Sequence, residues 1–101
     1  MEQFYSEIIK LLQYEYCNHT LLYYHTRPTR GEFHMQITAR NIDGANQVNI
    51  LVVSAKSSEI LYDTTIYDNG TVREYKTDKA PLRWIMYMLP EVKSVCWSAS
   101  C

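Results

Sequence analysis

The chain has 101 residues, 47% of them apolar and 21% charged; this length suits one domain with one core, and the apolar fraction excludes a mainly disordered chain. Ten basic side chains stand against eleven acidic ones, a net charge of -1, so no whole-molecule field draws in nucleic acid, a membrane surface or an anionic substrate. Any such partner would need a local patch.

In chain order, residues 2–16 come first. Phe4, Ile8, Leu11 and Leu12, joined by Tyr5 and Ile9, recur at the spacing of a helix with one buried face. Acid near the start and broken apolar runs argue against a signal peptide, and no stretch is long enough to span a bilayer. Cys17, Cys96 and Cys101 show no paired spacing, so reduced thiols and a cytoplasmic location are expected.

Alternating or β-rich runs follow near 20–27, 31–41, 46–55, 59–68 and 71–77, each bounded by turn residues. Asp43-Gly44 suits a two-residue hairpin turn, which pairs Ala39 with Val48, Ile37 with Ile50 and Met35 with Val52. The same counting around Asn69-Gly70 sets Tyr67 against Val72, Thr64 against Tyr75 and Asp63 against Lys76. Across the turn at 26–31, Tyr24 would meet Phe33 and Leu22 would meet Met35. Beyond the strands, Asp78 offers an N-cap and Pro81 a first-turn proline, Leu82, Ile85, Met86 and Leu89 supply an apolar stripe, and Pro90 stops the helix. The tail from 91 to 101 reads as strand or coil, a C-terminal extension of a single domain spanning 1–101.

The predicted fold is therefore α+β: a two-layer sandwich in which an antiparallel five-strand meander is flanked by an N-terminal and a C-terminal helix. Its inner face collects Phe33, Met35, Ile37, Val48, Ile50 and Val52, with Ile60, Tyr62, Ile66 and Tyr75 continuing the row. The outer face mixes polar residues with Leu51, Val53, Leu61, Tyr67 and Val72. A solvated antiparallel face should alternate to polar residues more cleanly than this, so a covering element or partner is expected.

On that outer face the expected register sets His25 opposite Glu32 and Tyr23 opposite His34. Two histidines, a glutamate and Arg27, Arg30 and Arg40 are the parts of a metal-independent ribonuclease or phosphodiesterase. No histidine has Ser or Thr two positions on, however, so the paired units of a two-histidine phosphodiesterase are absent. Cys17, His19, His25 and His34 fit no compact zinc spacing, and neither a metal nor a cofactor is expected. Arg73, Lys76, Lys79 and Arg83 with stacking tyrosines would suit single-stranded nucleic acid, but Glu74, Asp78 and Asp63 lie among them and balance the charge.

Nine tyrosines favour a protein interface, because tyrosine offers large contact area at little cost in side-chain entropy. The expected partner-binding residues are Leu21, Tyr23, His25, Arg27, Arg30, His34 and Tyr67, on the first strand and the adjoining outer face. That first strand lies at the sheet edge, with apolar groups on both sides and no charge until Arg27. The function expected is that of a small non-enzymatic module that binds another protein, or a second copy, stoichiometrically. Inhibitors, adaptors and immunity or anti-defence proteins are examples of that class. The competing expectation is a tail, with Val92, Val95 and Trp97, folded back over the same face.

Overall fold

A computed structural model describes residues 2–13, 22–25 and 32–98. The protein is α+β, with helices at both ends of an antiparallel sheet. Helix α1 (Glu2–Leu12) is followed by β1 (Leu22–His25), β2 (Phe33–Ile42), β3 (Ala45–Ser54), β4 (Ile60–Tyr67) and β5 (Val72–Lys76), then α2 (Leu82–Tyr87) and α3 (Leu89–Ser98). Strands β2 to β5 form an antiparallel meander, and β1 pairs along the free side of β2, so the order is β1-β2-β3-β4-β5.

The first hairpin follows its turn chemistry. Asp43 and Gly44 both have positive φ, 52° and 84°, as a type I′ turn requires, and Asn41 Oδ1 accepts the Gly44 N–H at 3.1 Å. Ala39 therefore pairs with Val48, Ile37 with Ile50 and Met35 with Val52, the expected register.

The second hairpin differs by one residue. Gly70 has φ 91°, but Asn69 is not left-handed, and the Tyr67 N–H donates to the Thr71 carbonyl at 2.9 Å. The loop is thus three residues, Asp68-Asn69-Gly70, with glycine supplying the left-handed position. Ile66 now pairs with Val72, Thr64 with Glu74 and Tyr62 with Lys76. A one-residue slip turns every side chain of a strand over, so Val72 packs against the core while Tyr75 is 55% exposed, the reverse of the expected faces. The expected pair Asp63–Lys76 does not form, and Lys76 Nζ lies 3.2 Å from Glu74 Oε1 instead.

Two further expectations are corrected in the sheet. A bulge between Val52 and Val53 pairs Val53 with Ile60, which takes Ile60 out of the inner row and leaves it 44% exposed. Strand β1 pairs Leu22 with Ala39 and Tyr24 with Ile37, four residues from the expected register. Its connection to β2 is longer than the tight turn assumed for 26–31, so turn geometry does not set this pairing.

At the C-terminal end Pro90 does not stop the helix. It occupies the first turn of α3, where a missing N–H breaks no intrahelical bond; the expected helix ends as α2 before Met88, and the tail expected from 91 onward as strand or coil is helical through Ser98. Pro81, without a side-chain cap, takes the N-cap place expected for Asp78. Asp78 lies instead in the turn closed by the Ala80 N–H on the Thr77 carbonyl. At its other end, α1 closes on the sheet through the Asn46 side-chain amide, which donates to the Leu12 carbonyl at 3.0 Å and satisfies one of the orphan acceptors of the last helical turn. Residues 14–16, assigned to this helix from periodicity, lie outside the described residues.

One core results. Phe4, Ile8 and Leu12 of α1, Ile85 of α2 and Val92 of α3 share a buried cluster with Met35, Ile37, Val48, Ile50, Val52, Tyr62 and Ile66. All three helices therefore bury residues on the same face of the sheet. Phe33 and Trp84 stack at its margin, ring centroids 5.7 Å apart. No helix of the described residues is long and apolar enough to cross a membrane.

Candidate functional site

Because Val92 belongs to the inner core, the C-terminal helix does not fold over the outer face. That expectation is overturned up to the point where side chains are described. Among the described residues no helix covers the outer face, and its residues meet in cross-strand rows fixed by register. One row runs Gln36, Leu51, Asp63, Tyr75, and the next places His34 beside Val53 and Val53 beside Ile60. Leu51 and Val53 are half-buried, and with His34 and Gln36 they line a depression of about 250 Å³.

Toward the two glycine turns the face becomes polar. Arg40 pairs with Gln47 and Gln47 with Tyr67; Thr38, Asn49, Thr65 and Arg73 form the adjoining row. The Asn49 amide donates to Asp63 Oδ1 at 2.8 Å and to Thr65 Oγ1 at 3.0 Å. The Arg73 guanidinium sits over the Tyr67 ring, 5.7 Å from its centroid, a cation–π contact that holds a flexible cation in place.

Of the expected binding residues, His34 and Tyr67 lie on this face, and Tyr23 and His25 lie in β1 at the sheet edge. Leu21, Arg27 and Arg30 lie outside the described residues, as do Cys17 and His19. The cross-strand pairs expected there are not formed: Tyr23 pairs with Thr38 and His25 with Gln36, because of the four-residue displacement of β1. Glu32 precedes β2 and uses its carbonyl to accept the Ala55 N–H at 2.8 Å. The acid–base pair that a ribonuclease reading assigned to His25 and Glu32 is therefore not assembled by the sheet.

Sequence reasoning missed a second polar cluster, on the helix side. The slip of β5 turns Glu74 toward α1, where the Tyr5 hydroxyl donates to its carboxylate and also lies 2.8 Å from the Tyr62 hydroxyl, beside the buried Thr64. Burial pushes both phenols above their ordinary range, so both stay neutral. Tyr5, and then Lys76, hold the Glu74 carboxyl below its ordinary 4.5. The signal that would have revealed this was the Asp-Asn-Gly spacing of the turn, which permits a three-residue loop as readily as a two-residue one.

A depressed carboxylate stabilises the fold above its unfolded value, and that contribution is lost as pH falls through its folded value. Tyr5→Phe should therefore lower the melting temperature at neutral pH, and the gap to wild type should narrow as pH drops below 4.5. A gap that stays constant down to the acid limit would show that Tyr5 does not act through Glu74.

In comparison with known proteins, the chain matches no protein family, no curated protein and no solved structure.

Proposed function

We propose that this chain is a non-enzymatic protein-binding module that acts stoichiometrically, as an inhibitor or adaptor, by occupying another protein or a second copy of itself. The working surface is the outer sheet face with the adjoining edge at β1, taken as the first strand of a five-strand meander. The observation that carries this reading is the placement of Val92 in the inner core, which leaves Leu51, Val53, Ile60 and Tyr75 with no helix over them among the described residues. Partly exposed apolar side chains grouped on one face, with arginine and tyrosine beside them, have the composition of an interface. At the edges, β5 carries Arg73, Glu74 and Lys76, charges that discourage strand addition, whereas Leu22–His25 of β1 contains no Asp, Glu, Lys or Arg.

The test is affinity capture from the native cell with four proteins: wild type, Leu51→Asp, Tyr23→Ala and a helix-side control, Tyr87→Ala, at a residue 79% exposed. One protein retained in a defined stoichiometry by wild type and by the control, and lost from Leu51→Asp and Tyr23→Ala, is the expected result. Equal retention by all four, or a complex lost only from the helix-side variant, would place the interface elsewhere.

A further inference from the structure

The outer face carries a charge excess that the chain as a whole does not. Among the described residues, Arg40 and Arg73 are exposed on it and belong to none of the ion pairs, which join Lys76 to Glu74, Lys79 to Glu59 and Lys93 to Glu7. Asp63, an acid of this face, lies in a different row, between Leu51 and Tyr75, and accepts from the Asn49 amide. Arg73 is held over Tyr67 with its guanidinium above the sheet. Beside these cations lies the apolar half of the face, Leu51, Val53 and Ile60.

We infer that the partner segment of this face is acidic and apolar together: a protein strand or loop whose carboxylates reach Arg40 and Arg73 while its apolar side chains cover Leu51, Val53 and Ile60. This rests on the protein-binding reading above and specifies the partner's chemistry. The spacing is informative. Strands β2 and β5 are three interstrand steps apart, and Arg40 and Arg73 lie in adjoining rows, so their backbones are about 16 Å apart, a gap that two long arginine side chains can narrow. In an extended segment, acids four residues apart lie about 13 Å apart on one face. Each guanidinium would take a carboxylate in a two-point contact, which the planar fork favours. A second copy seated face to face would only double the arginine excess. Single-stranded nucleic acid would find two cations, an acid and an apolar strip, where a phosphate chain needs a continuous basic track.

Three probes separate these outcomes: a fluorescent peptide of three Glu-Glu-Leu-Leu repeats, its Lys-Lys-Leu-Leu counterpart and an oligouridylate. Each is titrated by anisotropy into wild type, the double variant Arg40→Glu/Arg73→Glu and Leu51→Asp, with folding checked by circular dichroism. The acidic peptide should bind wild type, should bind the double variant about tenfold more weakly, and should lose affinity as salt rises. No binding of the acidic peptide, a preference for the lysine peptide, or undiminished binding to the double variant would overturn the acidic-partner inference. If Leu51→Asp still weakened the lysine peptide, the protein-binding reading would survive that failure. Tight binding of oligouridylate that the arginine substitutions abolish would overturn both.

Discussion

Val92→Asp is expected to remove most of the stability of the domain, a loss of at least about 3 kcal/mol, because it sets a carboxylate without a partner into an apolar core. Val92 is fully buried in one cluster with Phe4, Ile8, Ile85 and the inner sheet residues, and no side chain of that cluster carries a positive charge. Domains of this size have total stabilities of about 5–15 kcal/mol, so the variant should unfold at a much lower denaturant concentration. Leu51→Asp on the outer face, where the side chain keeps access to water, should cost far less. Urea titration of both proteins measures the difference directly. Equal losses would mean that the two faces of the sheet are covered alike, and the open face on which the binding proposal stands would not exist.

Gly44→Val should cost about 1–3 kcal/mol, the penalty for forcing a β-branched residue into the left-handed region. Gly44 has φ 84°, and a Cβ built there meets nothing within 4 Å, so the penalty comes from the backbone and not from a clash. Gly44→Asn should therefore recover much of the loss, since asparagine tolerates this region. Thermal melts of the two variants separate strain from crowding. If valine and asparagine are equally tolerated, the Asp43-Gly44 turn does not set the pairing of β2 with β3.

How much of this architecture is legible in the sequence depends on how each pairing is determined. The β2–β3 register could be counted because Asp43-Gly44 leaves one tight geometry, and Met35, Ile37 and Ala39 then fall opposite Val52, Ile50 and Val48. The β4–β5 register could not, because Asp68-Asn69-Gly70 supports loops of two or three residues and the alternation in 72–76 is too short to choose. What chooses is contact remote in sequence. With the three-residue loop Val72 reaches the core, and Glu74 meets Tyr5 from a helix sixty-nine residues earlier.

The candidate site divides in the same way. That an outer face with Leu51, Val53, Tyr67 and His34 would exist follows from alternation alone, and the presence of helices at both ends follows from apolar spacing at the helical period. That the face is left without a helix does not follow. Val92 could have served either side of the sheet, and Pro90 reads as a stop signal until it is seen in the first turn of a second helix. Local periodicity and turn chemistry determine which residues form each element and which side of a strand they share, because those depend on neighbours a few residues away. Which side of the sheet the last helix takes is decided by the packing of Val92, Ile85 and Phe4, far apart in the chain, into one core, and where β1 registers on β2 is decided by strand pairing that the local turn residues do not fix, energies that no short window of sequence contains.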